Sequence, residues 1–187
     1  MSLLHGVHEV RLLRPAIAAG YFDSWDAALI AVENEPEYRA AYFTLNPITV
    51  PVGISPNPAT LRSSRNTAGD LDITRRVWLL IDLDPVRSAG TNSTDEEKQS
   101  AREQAEAARQ FLSGRGWPSP LLADSGNGWH LLYRIDLPND AVSTDLVRGI
   151  LARLKQLFPS CSRTWQLLRS NQMEVCKISR FLNTLLC

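Results

Sequence analysis

Two aspartates at the end of an apolar run are the side chains in this sequence best suited to hold a divalent metal ion. Asp82 and Asp84 close the run VWLLIDLD, and side chains two residues apart on a strand point to the same side of a sheet. Carboxylate oxygens suit Mg²⁺ and Mn²⁺, and a pair of such ions can hold the attacking and leaving oxygens of a phosphoryl transfer. The pattern predicts a metal site, with a solvated or salt-bridged strand end as the alternative interpretation.

A second group of polar residues, SGNGWH at 125–130, is suited to bind an anion. Its two glycines allow backbone N–H groups to face a phosphate, Ser125 adds a hydroxyl, and His130 can donate a hydrogen bond to a phosphate oxygen. Asn127, between the glycines, belongs to the same predicted nucleotide contact. An ordinary hairpin turn also explains the segment, because Asn-Gly is a common turn pair.

A strand and a long helix are predicted between these two groups. The nearly continuous apolar run over 77–84 is typical of a central strand whose end opens into a cleft. Thr94 and Glu97 form a capping box, and alanine and leucine recur at helical spacing until Gly114 ends the helix. This order of strand, Asp-x-Asp, helix and glycine turn favours function over two unrelated local features.

The remaining elements predict an α+β domain. Apolar runs at 120–123 and 129–135 flank the glycine turn and predict a β-hairpin. Ser143 or Thr144 is expected to cap a final helix, which Pro159 ends. Near the start of the chain, a strand, a helix and a strand predict an N-terminal αβ module. We therefore expect helices packed on a mostly antiparallel sheet.

The composition is that of an ordinary globular protein without an overall charge. The 187 residues include 20 Lys plus Arg and 20 Asp plus Glu, so nucleic-acid binding would need a local basic patch. Three cysteines without CxxC spacing, and no signal-type apolar run, predict a reducing, cytoplasmic setting. No run approaches the roughly 20 apolar residues of a membrane span, so no membrane partner is expected.

Several cationic and aromatic residues allow both a structural and a functional interpretation. Arg75 and Arg76 precede the Asp-x-Asp strand, where solvated strand ends are common and contact with template phosphates is the alternative. Trp117 and Trp129 can stack on bases, although packing in the protein interior is the commoner fate of tryptophan.

The two motifs together resemble the archaeo-eukaryotic primase superfamily, specifically the primase-polymerase domains of phage, plasmid and bacterial replication proteins. The resemblance rests on LLIDLDPVRSAG, STDEE and ADSGNGWHLLYRIDLPND, and it extends back to GYFDSWDAALIA and YFTLNP. It implies an RRM-like catalytic core over 71–187 after an N-terminal αβ module over 1–70. It also implies metal-dependent, template-directed addition of nucleotides to a strand during DNA replication.

The resemblance assigns roles to individual residues. Asp82 and Asp84 match the motif that holds Mg²⁺ or Mn²⁺, and together with His130 they are the expected catalytic residues. Ser125 and His130 match the motif that contacts the triphosphate of the incoming nucleotide. The implied partners are nucleoside triphosphates, a single-stranded DNA template and a replicative helicase, either as a further domain or as a separate protein.

The third motif of that family departs from its usual pattern here. KISRFLNT resembles the family's basic stretch, which implies that Lys177 and Arg180 contact the triphosphate or the template. The aspartate expected before this stretch falls on Arg169, and Glu174 is the only carboxylate side chain after Asp145. We expect an altered or truncated third motif, with the loss of much of the catalysis because metal positioning is its main contribution.

Two other functions fit the sequence. A non-catalytic nucleic-acid-binding or nucleotide-binding replication module would keep the fold, with Arg169 in place of the metal ligand. A haloacid-dehalogenase-like phosphotransferase would use Asp82 as a covalent nucleophile, because DLDPV satisfies its DxDx[V/T] motif. That second function needs a further acidic pair, which the last third of the chain does not offer.

Overall fold

The fold is described for most of the chain: the computed structural model covers residues 6–64, 66–85 and 91–158 and the backbone of 175–177. Within these residues it contains three α-helices and two antiparallel sheets, which confirms the predicted α+β class. The elements are β1 (His8–Leu13), β2 (Ala18–Phe22), α1 (Trp25–Glu33), β3 (Ala40–Thr44), β4 (Arg62–Ser63), a 3-10 turn (Asp70–Asp72), β5 (Arg75–Leu83), α2 (Asp95–Ser113), β6 (Leu121–Asp124), β7 (Trp129–Pro138), α3 (Ala141–Leu157) and β8 (Val175–Lys177).

The first sheet has five strands in the order β4-β2-β1-β3-β8, with every pairing antiparallel. The sequence pattern predicts β1, α1 and β3 but not β2 or β4. The strand β2 reads AAGYF and contains residues of low strand propensity, and β4 has two residues. The backbone of β8 pairs with β3, so a segment near the end of the sequence joins the N-terminal strands.

The second sheet has the order β5-β7-β6 and is covered on both sides. Successive side chains of β5 point in opposite directions, and Leu80 packs into a core that includes Val10 of β1 and Ala28 of α1. Leu79 and Ile81 pack on the other side, against α2 and α3. Burial on both sides explains why β5 is apolar at nearly every position.

Asn46 satisfies backbone groups at the open edge of β5. The pairing of β5 with β7 is irregular between Arg76 and Trp78. The Asn46 Oδ1 accepts hydrogen bonds from the N–H groups of Val77 at 2.8 Å and Trp78 at 2.9 Å, and Nδ2 donates to the Trp78 carbonyl at 3.3 Å. The motif YFTLNP therefore contributes a structural contact between the two sheets, because its asparagine pairs with backbone groups that β7 leaves open.

The helix α2 confirms the predicted capping box. Thr94 Oγ1 accepts from the Glu97 N–H, and the Glu97 carboxylate accepts from the Thr94 N–H. The buried side of α2 is built mainly of small residues, which allow the helix to lie close to β5 and β7. These residues are Ala101, Ala105, Ala108 and Leu112.

The predicted cap of α3 is wrong: Asp140 caps this helix, and neither Ser143 nor Thr144 does. The Asp140 carboxylate accepts a hydrogen bond of 2.7 Å from the Ser143 N–H. Thr144 is one turn too late to cap, and its hydroxyl donates to the Asp140 carbonyl while it accepts from Arg76. A carboxylate at the helix start also lies favourably in the field of the helix dipole.

The prediction of a solvated Arg76 is wrong as well. Its side chain is buried and donates to Asn139 Oδ1 at 2.8 Å and to Thr144 Oγ1 at 2.7 Å. It therefore links the start of β5 to the connection between β7 and α3. A side chain buried in this way is not accessible to a template phosphate. Arg75 is half-exposed and pairs with Asp136 on β7, as expected for a solvated strand end.

The buried phenol of Tyr133 makes stability depend on pH. Its residue is 1% exposed, and its hydroxyl has no hydrogen-bond partner among the described residues. Burial raises the pKa of Tyr133 from 10.0 to about 12. A group with a raised folded-state pKa favours folding below its unfolded pKa, and this contribution is lost as pH rises through the folded value.

Replacing Tyr133 by Phe tests this burial. We expect wild type to lose stability relative to Y133F as pH rises from 10.0 to about 12, measured by urea unfolding across that range. At neutral pH, Y133F should be at least as stable as wild type, because the substitution removes a buried hydroxyl that lacks a partner. A clear loss of stability in Y133F at neutral pH would show that the hydroxyl is hydrogen-bonded in solution.

Candidate functional site

Asp82 and His130 face each other across the pairing of β5 with β7. They are direct register partners, and the distance from Asp82 Oδ1 to His130 Nε2 is 3.4 Å. Their side chains are 15% and 14% exposed, so both are largely enclosed but still reachable by a ligand. They lie on the side of the sheet that faces the core shared with β1 and α1, since Leu80 and Leu132 belong to that core.

Asp84 and Ser125 meet where β5 ends and the turn between β6 and β7 begins. The Ser125 hydroxyl donates to Asp84 Oδ1 at 3.4 Å, and it accepts a hydrogen bond of 2.8 Å from the Gly128 N–H. The Ser125 N–H donates to the Gly128 carbonyl at 3.1 Å, which closes the turn. The structure thus brings Asp82, Asp84, Ser125 and His130 to one end of the same sheet.

Two positions of the turn require glycine, Gly128 for steric reasons and Gly126 for its backbone conformation. A Cβ on Gly128 would lie 2.3 Å from the Leu83 carbonyl oxygen and 2.6 Å from Asp84 Oδ1. Gly126 has a φ of +99°, in the region that favours glycine, and its N–H donates to Asp124 Oδ1 at 2.6 Å. The predicted hairpin is confirmed, and its turn lies directly against the Asp-x-Asp segment.

Asn127 holds the segment that leads into α2. Its side-chain oxygen accepts from the Ser93 N–H at 3.2 Å, and its backbone carbonyl accepts from the Ser93 hydroxyl at 2.6 Å. Both oxygens of Asn127 are therefore used within the protein. The predicted nucleotide contact of Asn127 is not tested by this geometry, but the structure gives the residue a positioning contact that no sequence pattern indicates.

Lys98 is a residue of the site that sequence reasoning missed. It lies in the first turn of α2, and its Nζ is 2.6 Å from Asp124 Oδ2, next to the glycine turn. Its carbonyl accepts a hydrogen bond of 3.2 Å from Trp129 Nε1. The helical pattern of the sequence indicates only that Lys98 is partly exposed. It does not show that the first turn of α2 lies beside the end of β6.

The two tryptophans considered for base stacking pack within the protein. Trp129 lies beneath the cationic groups of Lys98 and Arg102, at 5.9 and 5.2 Å from its ring centroid. Trp117 meets Tyr133 edge-on, with ring centroids 5.1 Å apart. These contacts agree with the packed interpretation of both residues.

The oxygens of this site suit a divalent cation. Asp82 Oδ1 is buried and has no hydrogen-bond partner among the described residues, and a buried carboxylate oxygen of this kind is stabilised by a cation. Within residues 6–64, 66–85 and 91–158, no group of three or more His, Cys, Asp or Glu has metal-binding geometry. Two carboxylates are the usual protein share at Mg²⁺, which keeps several waters and takes phosphate oxygens.

The predicted third motif lies almost entirely outside the described residues. Arg169, Glu174 and Arg180 are not among them, and Lys177 is described only by its backbone in β8. The assignments of Lys177 and Arg180 to the triphosphate or the template therefore stay predictions.

Comparisons of the chain with protein-family models, with curated proteins and with solved structures find no match. In the described part of the chain, no helix combines the length and apolar character needed to cross a membrane. The geometry and chemistry of the described residues are therefore the basis for assigning a function.

Substitution of Gly128 tests the close approach of the turn to the strand end. We expect G128A to destabilise the protein by roughly 1–3 kcal/mol, because the new methyl group has to displace the backbone of Leu83. Gly149 provides the matched control, because it is exposed in α3 and an added methyl group there would have no atom within 4 Å. G149A should stabilise by about 0.5–1 kcal/mol.

Urea unfolding of both variants measures these free energies of unfolding. Similar stabilities of G128A and G149A would contradict the close contact between Gly128 and the end of β5.

Proposed function

We propose that this chain is a metal-dependent, template-directed nucleotidyltransferase of the primase-polymerase type that acts in DNA replication in the cytoplasm. The observation that carries the proposal is the convergence of two carboxylates with a serine and a histidine at one end of the sheet. Asp82 and Asp84 come from β5 and the residue that follows it, and Ser125 and His130 come from the adjoining hairpin. The residues proposed to hold the metal and those proposed to contact phosphate thus lie side by side.

The arrangement of layers supports an RRM-like catalytic core. The sheet β5-β7-β6 has α2 and α3 packed on one side and the core of the N-terminal strands and α1 on the other. An N-terminal αβ module beside such a core is what the resemblance to primase-polymerase domains implies. Asp82 and His130 lie on the side of this sheet that faces the N-terminal part.

Asp82 and Asp84 would hold Mg²⁺ or Mn²⁺. When bound, such an ion stabilises the negative charge that develops on phosphate oxygens during nucleotidyl transfer. The buried Asp82 Oδ1, which accepts no hydrogen bond from the described residues, and the hard oxygen donors fit this group.

The protein's own groups would orient the triphosphate. The Ser125 hydroxyl and the His130 imidazole can each donate a hydrogen bond to a phosphate oxygen. Asp82 lies opposite His130, with Oδ1 3.4 Å from Nε2, so the proposed metal ligand and the proposed phosphate donor are neighbours. Because His130 and Asp82 stand on paired strands and Ser125 is held in the hairpin turn, little reorganisation is required when the substrate binds.

The non-catalytic alternative keeps one observation in its favour, namely Arg169 at the position of the expected third carboxylate. A cation there opposes metal binding, so the chain would bind nucleotides or single-stranded DNA without turnover. The phosphotransferase alternative gains no support, since it needs a further acidic pair that the last third of the chain does not offer.

A primer-extension assay tests the proposed function. The full chain is incubated with a primed single-stranded DNA template and labelled NTPs or dNTPs, with Mg²⁺ or Mn²⁺. We expect incorporation by wild type, and a loss of about 100-fold or more in D82N and in D84N, because electrostatic stabilisation is usually the largest catalytic term.

The matched control is D136N, which changes a carboxylate on β7 that is exposed and pairs with Arg75. It should retain wild-type incorporation. If wild type incorporates no nucleotide with either metal but still binds nucleotide or single strands, the non-catalytic alternative replaces the proposal. If D82N remains fully active, the assigned site is wrong.

A further inference from the structure

The glycine turn lacks a cation of its own. The residues between β6 and β7 are Ser125 to Gly128, and none of them carries a charge. Carboxylates lie on both sides of this turn, with Asp84 against Ser125 and Asp124 bonded to the Gly126 N–H. A triphosphate is strongly anionic, so its binding at this turn needs a positive charge besides the metal.

Lys98 brings a positive charge to the turn. Its ammonium group is 2.6 Å from one oxygen of Asp124, and the other oxygen of Asp124 accepts from the Gly126 N–H at 2.6 Å. One carboxylate therefore separates the ammonium from the backbone amides of the turn. The Lys98 carbonyl accepts a hydrogen bond from Trp129 Nε1. The backbone is therefore held in place while the long side chain can change its conformation.

The pair between Lys98 and Asp124 is exposed enough to be exchanged. Their side chains are 26% and 30% accessible to solvent, and an ion pair of this exposure contributes little to stability. A contact between the ammonium and a phosphate oxygen is charge-assisted as well, and a triphosphate carries more negative charge than the single carboxylate that it would replace.

We propose that Lys98 exchanges Asp124 for a phosphate oxygen when a nucleoside triphosphate binds, so that this lysine selects triphosphates over monophosphates. The inference rests on the proposed function, since it takes the glycine turn as the phosphate site. Asp124 then acts as a holding partner that keeps the ammonium beside the turn before the substrate arrives.

The exchange and a purely structural ion pair predict opposite effects of D124N on triphosphate binding. In a structural pair, removal of either partner weakens the turn, so K98Q and D124N weaken binding alike. In the exchange, K98Q weakens triphosphate binding and D124N strengthens it. Asparagine keeps an oxygen that can accept from the Gly126 N–H, but it no longer competes as a charge for the ammonium.

Isothermal titration of the full chain with ATP or dATP, each with MgCl₂, measures this difference, and AMP or dAMP serves as the comparison. We expect K98Q to bind triphosphates about 10-fold more weakly, as for the loss of one charge-assisted contact, with little change for monophosphates. D124N should bind triphosphates more tightly than wild type, and K98R should restore most of the affinity.

R102Q is the matched control, because Arg102 also lies over the Trp129 ring, at 5.2 Å. It should keep wild-type affinity, which separates loss of the phosphate contact from loss of packing on the tryptophan. If wild type binds no triphosphate with Mg²⁺ or Mn²⁺, the proposed function and this inference both fail. If wild type binds but K98Q binds equally well, or if K98Q and D124N weaken binding alike, the inference alone is overturned.

Discussion

Burial of β5 on both of its sides is the constraint on which the rest of the structure depends. A strand with two apolar sides requires a layer on each, and here the N-terminal core supplies one and the helices α2 and α3 supply the other. In the described sheet β5 is also an edge strand, so its outer backbone groups need partners. Asn46 provides them at Val77 and Trp78, which ties the N-terminal module to this strand.

The polar end of β5 follows from the same burial. A strand that runs through two apolar cores and ends in carboxylates concentrates negative charge where the layers open, and such charge is costly to enclose without a compensating group. The hairpin turn brings hydroxyl and imidazole donors to that place, and Gly128 permits an approach that any side chain would prevent. The polar residues of the site therefore come together because the backbone of the hairpin turn can pack closely against the end of β5.

Contacts around the turn are of two physical kinds. The packing of Gly128 on Leu83 and the β-pairing of Asp82 with His130 involve enclosed groups and hold a fixed geometry. The Lys98 pair with Asp124 is partly exposed, so solvent competes with it and its geometry can change. Under the proposed function, the fixed groups would orient the substrate and the exchangeable ion pair would adapt to its charge.

Features with local causes could be predicted from the residue pattern. The capping box of Thr94 and Glu97 and the hairpin around residues 125–128 depend on residues within a few positions of each other, so their patterns predict them. The same patterns identified the four residues that converge at the site.

Tertiary structure alone decided the contacts between residues that are distant in the sequence. The burial of Arg76, the role of Asn46, the pairing of β4 with β2 and the meeting of Lys98 with Asp124 all require knowledge of which elements pack together. These contacts depend on the combined free energy of many interacting groups, so a local pattern of residue types does not predict them.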